Sequence, residues 1–199
     1  MANLGGQGRN YRDETEQLLR MADQTIEREC GPHGGIALAI VKAATNCRDN
    51  VKQWIDSDTE SDRQQTEIYL YFELLYFYMH MTLLKVVGRV NSAQLQKLQD
   101  FLILLIPATA IDSYFAHWPT HLKEKMNDEF IERLNDAERE YTECDKDNKI
   151  APVLMLLAKN IFDLLGLEEF DESKVRIILE VVMRELEGMQ MNKLIQAMR

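Results

Sequence analysis

The sequence predicts an all-α protein, a helical bundle of about six to eight helices around a very apolar central helix over residues 63–87. Three observations support this fold class. Apolar residues recur at spacings of three and four along most of the chain, which is the period of an amphipathic helix. Alternating β-branched and polar residues, the pattern of a strand, do not occur between turn signals. Polar or glycine-containing segments separate the helical stretches.

The first 55 residues predict two helices separated by a turn. Residues 12–29 place their apolar side chains on one face, which indicates an amphipathic helix. The glycines and the proline of residues 30–35 predict its end, because both residue types interrupt helices. A second helix follows over residues 36–55, and the acidic and hydroxyl residues at 56–62 offer N-caps for the next one.

The third and fourth helices are the most apolar. Residues 63–87 are apolar nearly all round, which is typical of a helix that neighbours contact on most sides. Gly88 ends this helix, and Asn91 is placed to cap the next. That fourth helix covers residues 93–118 and contains Pro107, so we expect a kink or a division into two helices there.

The last third of the chain predicts three more helices. Residues 121–143 form a surface helix, since acidic residues crowd the face opposite its apolar one. Residues 150–165 form a strongly apolar helix closed by Gly166. One long final helix follows a cap within residues 168–173. It has a coiled-coil-like spacing of apolar residues, namely Leu179, Val182, Leu186 and Met189.

Length and composition suggest one folded unit. The chain has 199 residues, 46% of them hydrophobic, which is enough to bury one sizeable core. We expect a flexible N-terminus over residues 1–11, which are rich in glycine and asparagine. A single all-α domain would then cover residues 12–199, with a subdivision near the polar residues 145–149 as the open alternative.

The net charge and the cysteines limit the classes of binding partner and the cellular compartment that the sequence predicts. A formal net charge of -10 disfavours nucleic acid, because binding to a polyanion needs a basic surface. It also disfavours anionic lipid surfaces. The three cysteines, at positions 30, 47 and 144, are scattered and do not suggest a disulfide framework, which favours a reducing compartment. A helix that spans a bilayer needs about 20 consecutive apolar residues. The apolar stretches of this chain are either shorter than that or interrupted by charged residues. We therefore predict a cytoplasmic protein that binds neither nucleic acid nor membrane.

Four residues of the third helix form the main candidate site. They follow spacings of four, three and four, which place them along one stripe of a helix. A carboxylate flanked by two phenols, with an imidazole beyond, could serve acid–base chemistry if it were desolvated. The same stripe could be an interface, because tyrosine is enriched there, or simply the less buried face of an apolar helix. These residues, here called the polar row, are Tyr69, Glu73, Tyr76 and His80.

No cofactor, metal or catalytic set is predicted. Glu73 and His80 are separated by about 10.5 Å along a helix axis, whereas ligands sharing an ion on a helix usually lie three or four residues apart. No histidine follows a glutamate by three residues, as carboxylate-bridged metal sites in bundles require. Asp112 and Asp163 also lie in apolar stretches and could converge with Glu73.

Two functional hypotheses follow. The first is a non-enzymatic helical protein-interaction or regulatory domain that acts through a protein partner or as a homo-oligomer. It is based on the polar row and on the coiled-coil-like final helix. The alternative is a helical-bundle enzyme, or a ligand- or metal-binding protein, with an acid–base site around Glu73 and His80. Methionines near the C-terminus, among them Met183, are typical of an adaptable binding surface or of core filling.

Overall fold

A computed structural model of the chain describes residues 31–55, 59–114, 116–145, 149–167 and 171–198. Helix α1 covers residues 31–51 and continues into a short 3₁₀ turn, Lys52–Trp54. The helices that follow are α2 (Glu60–Val86), α3 (Ser92–Tyr114), α4 (Thr120–Cys144), α5 (Ile150–Leu164), α6 (Glu172–Gly188) and α7 (Met191–Ala197). No strand occurs within these ranges, so the predicted all-α class is confirmed.

Polar side chains begin three of the helices, as the sequence predicts. The Thr59 hydroxyl accepts a hydrogen bond from a backbone N–H in the first turn of α2. At the start of α3, Asn91 Oδ1 accepts from the backbone N–H of Gln94 at 2.9 Å, and Gln94 Oε1 accepts from the N–H of Asn91 at 3.2 Å. Asp171 accepts from the backbone N–H of Ser173 at 2.9 Å before α6. Each cap satisfies donors that a helix start leaves unpaired.

Glycines end α2 and α5. Gly88 has φ +74° and Gly166 has φ +67°, a left-handed conformation that glycine adopts without a Cβ clash. After α5 the backbone N–H of Leu167 donates to the carbonyl of Phe162 at 3.2 Å, which closes the helix end. Both terminations were predicted from the sequence.

Helix α2 packs against α3, α4, α5 and α7. It also meets α1, where Cys47 Sγ lies 3.0 Å from the hydroxyl of Tyr78, and that hydroxyl donates to the carbonyl of Val182 in α6 at 3.2 Å. Burial of large apolar side chains stabilises a fold by about 1.5–3 kcal/mol each. Residues of α2 that are at most 1% exposed are Leu70, Phe72, Leu74, Leu75, Phe77, Tyr78, Thr82 and Val86.

The turn predicted over residues 30–35 is wrong for residues 32–35, which are helical, whereas Gly31 has φ +60°, the left-handed conformation that glycine adopts at helix ends. Gly35 packs close to α7, because a Cβ atom at this position would lie 3.4 Å from Leu194 Cδ2. Contact with another helix thus favours a conformation that glycine disfavours locally. The predicted helix over 12–29 and the flexible segment 1–11 lie outside the described residues, and the single domain over 12–199 stays a prediction.

Pro107 does not divide the fourth predicted helix, because it lies inside α3. An internal proline costs about 3 kcal/mol through a lost hydrogen bond and a clash. Buried residues on both sides of it, Leu102, Ile106 and Ala110, hold the helix against the core. The C-terminal end also differs from the prediction, since α3 ends at Tyr114 rather than at residue 118.

The predicted long final helix is wrong, because it is divided into α6 and α7. Gln190, between the two, has φ +49°, a left-handed conformation that breaks the helical path. The break lets both flanking methionines pack inward, since Met189 is 7% exposed and Met191 is 4% exposed. Burial of these side chains explains why the chain turns where the apolar spacing alone predicts continuity.

Candidate functional site

The polar row lies on the side of α2 that faces α4 and α5. Tyr69 donates its hydroxyl hydrogen to Glu129 Oε1 at 2.8 Å. Tyr76 donates to the backbone carbonyl of Phe130 at 3.0 Å. Both acceptors belong to α4, so the two phenols link α2 to α4 at positions two helical turns apart.

Glu73 lies where α2, α4 and α5 meet. Its Oε1 atom accepts one hydrogen bond from the Tyr141 hydroxyl at 2.5 Å and another from Asn160 Nδ2 at 2.8 Å. Burial raises the pKa of the Glu73 carboxyl, and these two hydrogen bonds oppose the shift. Burial, together with the charge of Glu73, raises the pKa of Tyr141 well above its ordinary value. The phenol therefore stays protonated and acts as a donor.

His80 is the most buried member of the polar row, with 2% of the residue exposed. Its Nδ1 lies 3.1 Å from Glu138 Oε1, and its ring stacks on Tyr141 with the ring centroids 5.5 Å apart. In the described part of the chain, its buried Nε2 has no hydrogen-bond partner. Tyr141 thus stands between Glu73, which it hydrogen-bonds, and His80, on which it stacks.

The geometry brings the four predicted residues together but turns them inward. Tyr76 is 4% exposed, and Tyr69 and Glu73 are partly buried. The partly buried Glu73 carboxyl, the Tyr141 phenol and the His80 imidazole follow one another in space and supply the groups that acid–base chemistry uses. The roles of the polar row as an interface or as a ligand site stay predictions.

The two aspartates that the sequence left as possible neighbours of Glu73, Asp112 and Asp163, do not converge with it. Asp112 is 68% exposed and pairs with Lys123 at 3.0 Å. Asp163 is 65% exposed and pairs with Lys159 at 2.7 Å. Both lie on outward faces, because an amphipathic helix turns its charged positions to solvent. Among the described residues, no group of three or more histidine, cysteine or acidic side chains is placed to hold a metal ion.

Replacing Glu73 with glutamine should remove one source of pH dependence. Because the pKa of Glu73 is raised above its ordinary 4.5, the folded chain holds this proton more tightly than the unfolded chain. The stability that the neutral Glu73 carboxyl contributes is fully present below pH 4.5. It is lost as the pH rises through the pKa that Glu73 has in the folded chain. We expect Glu73→Gln to gain stability relative to the parent chain as the pH rises above 4.5.

Urea unfolding at a series of pH values measures this difference. The matched control is Glu132→Gln, which makes the same charge change at an exposed position of α4. The difference in free energy of unfolding between Glu132→Gln and the parent chain should vary little with pH. If Glu73→Gln instead loses stability as pH rises, the carboxylate is the favoured form and the inferred direction of the shift is wrong.

A second feature, which the sequence interpretation did not assign, is an apolar groove between α5 and α6. It has a volume of about 550 Å³ and an apolar lining of Met155, Val175, Leu179 and Met183. Its rim carries Glu172, Arg176 and Glu180. Met155 is 46% exposed. Of the four residues with coiled-coil-like spacing, Leu179 lines this groove, whereas Val182, Leu186 and Met189 are buried in the core.

Comparison with known proteins finds no matching family model, no similar curated protein and no similar solved structure. No helix in the described ranges combines the length and the apolar character needed to cross a membrane. The fold and the site define the class of protein as an all-α helical bundle. It has a polar row enclosed between α2, α4 and α5 and an open apolar groove along α6.

Proposed function

We propose that the chain is a helical protein-interaction domain whose α5–α6 groove receives an amphipathic helix of a partner protein, one that carries basic residues beside its apolar face. The observation that carries this proposal is the exposed Met155 beside the apolar residues Val175, Leu179 and Met183. A groove of this kind suits the apolar face of a helix. Methionine side chains are flexible and polarisable, so they adapt to the shape of a bound helix.

Charge favours a basic partner over a second copy of the chain. The groove rim carries two carboxylates, Glu172 and Glu180, and one cation, Arg176, which lies 3.7 Å from Glu180. The rim is therefore net negative, and so is the whole chain at -10. A second copy would bring like charge to the groove, whereas lysines or arginines on a partner helix would complement it.

The test uses a fluorescently labelled, amphipathic peptide of about 18 leucine and lysine residues, which is long enough to form a helix on the groove. We expect the peptide to bind the parent chain, as measured by fluorescence anisotropy. Met155→Gln should weaken this binding about tenfold, because burying a methionine against a partner contributes roughly 1.4 kcal/mol or more.

Two controls make the experiment specific. Ile177→Gln makes a comparable change at a side chain that is 42% exposed, against 46% for Met155, but lies outside the groove, and it should leave binding unchanged. A peptide with glutamate in place of lysine should bind much more weakly. Equal loss from Ile177→Gln, or equal binding of the glutamate peptide, would contradict the proposal. A dimer detected by sedimentation and dissociated by Met155→Gln would assign the groove to a second copy instead.

A further inference from the structure

A separate cleft lies between α2, α3 and α4. It has a volume of about 260 Å³. Pockets for drug-sized ligands have volumes of about 300–1,000 Å³, so this cleft suits a smaller ligand of roughly ten non-hydrogen atoms. Three helices contribute apolar side chains to its walls, and small-molecule sites are commonly lined by apolar side chains. These side chains are Met79, Leu83, Leu102, Ile103 and Leu134.

The polar groups of this cleft are three amides and one carboxylate. Gln96 and Gln99 come from α3, and Asn135 and Glu138 come from α4. Gln96 donates to the Asp100 carboxylate at 2.8 Å, outside the cleft. Glu138 is the one ionisable side chain in the described lining, and the lining contains no lysine or arginine. A cationic group is therefore the ligand charge that this cleft complements.

His80 of the polar row contacts Glu138 and fixes its carboxylate in position. His80 Nδ1 lies 3.1 Å from Glu138 Oε1, and the buried His80 ring is itself stacked on Tyr141. A carboxylate can accept about four hydrogen bonds, and this contact uses one of them. With its side chain 42% exposed, Glu138 keeps accepting capacity on the side open to the cleft. A carboxylate fixed in this way loses little freedom when a ligand binds.

We propose that the α2–α3–α4 cleft binds a small organic cation, a primary amine attached to a short apolar or aromatic body. The ammonium group pairs with Glu138, and the Gln99 and Asn135 amides supply further hydrogen-bond acceptors. The apolar body packs against side chains such as Leu102 and Leu134. This site is independent of the α5–α6 groove and of the function proposed for it.

The probe is 2-phenylethylamine, followed by methyl NMR of the methionine side chains. We expect binding with a Kd on the order of 1 mM, the range reached by ligands of this size. The Met79 methyl signal should shift, whereas that of Met155, which lines the separate α5–α6 groove, should not. The neutral 2-phenylethanol should bind at least about tenfold more weakly, and 3-phenylpropionate should not bind measurably.

Variants of the cleft test the role of the carboxylate. Glu138→Gln should raise the Kd for 2-phenylethylamine about tenfold, and Glu132→Gln, elsewhere on α4, should leave it within about twofold. Gln99→Glu adds a second carboxylate and should lower the Kd about threefold, which tests the site without removing the contact to His80. Equal binding of the amine and the alcohol, an unchanged Kd in Glu138→Gln, a shift at Met155 without one at Met79, or no binding at about 10 mM amine would each overturn the proposal.

Discussion

Replacing Phe130 with alanine is expected to lower the free energy of unfolding by about 4 kcal/mol, in the range for large-to-small changes of buried aromatic residues. Phe130 is completely buried on the face of α4 that packs on α2. Its ring meets Phe72 edge-on with centroids 5.0 Å apart and lies 4.8 Å from the ring of Tyr76. Truncation would leave a cavity between two rings that α2 holds in place.

Urea unfolding followed by circular dichroism measures the loss. Leu122→Ala, on the same helix at a side chain that is 36% exposed, is the matched control and should cost less than about 1 kcal/mol. The backbone of Phe130 remains in the variant, so its carbonyl still accepts from Tyr76. A loss below about 2 kcal/mol for Phe130→Ala would contradict the close packing of α4 on α2.

Replacing Tyr141 with phenylalanine is expected to destabilise the chain by about 2 kcal/mol, because the partly buried Glu73 carboxyl loses a donor that is itself buried. Tyr141 is 1% exposed, and its hydroxyl is one of two donors to Glu73 Oε1, the other being Asn160. The ring would stay, with its contacts to His80 and to Phe77. The loss of unfolding free energy therefore measures the hydrogen bond of the hydroxyl and not the packing of the ring.

Tyr69→Phe provides the comparison for this prediction. Tyr69 also donates to a carboxylate, Glu129, but it is partly exposed, so water can replace the lost donor and the cost should stay below about 1 kcal/mol. Measured at a pH where the Glu73 carboxyl of the parent chain is ionised, the cost of Tyr141→Phe should fall to about 1 kcal/mol in the Glu73→Gln background, since the acceptor is then neutral. Equal costs for the two tyrosines would contradict the burial of Glu73.

The two proposals assign different surfaces to different tasks. Helix α6 would present an apolar groove to a partner helix, and α2, α3 and α4 would enclose a small cation near Glu138. The polar row lies behind the second site, because His80 contacts both Glu138 and Tyr141. Glu73→Gln, expected to change the pH dependence of stability, should alter neither binding event directly.

Local features of the chain could be predicted well. The hydroxyl of Thr59 and the side chain of Asn91 cap their helices through contacts within one turn. Gly88 and Gly166 adopt the left-handed conformation that ends a helix. The stripe from Tyr69 to His80 follows from helical spacing alone, and so does its clustering on one side of α2. Such signals act between residues a few positions apart, which is why the sequence reveals them.

The tertiary structure decided the features that depend on distant contacts. Gly35 lies in a helix and packs close to α7, and the helix around Pro107 is held by its buried face, so packing outweighs local propensity at both places. The partners of Glu73 lie 68 and 87 positions away along the chain, at Tyr141 and Asn160. The fold class, the helix caps and the polar row were therefore determined by the sequence. The burial of the row, the break at Gln190 and the two clefts were decided by how helices pack, because that depends on side chains remote in sequence.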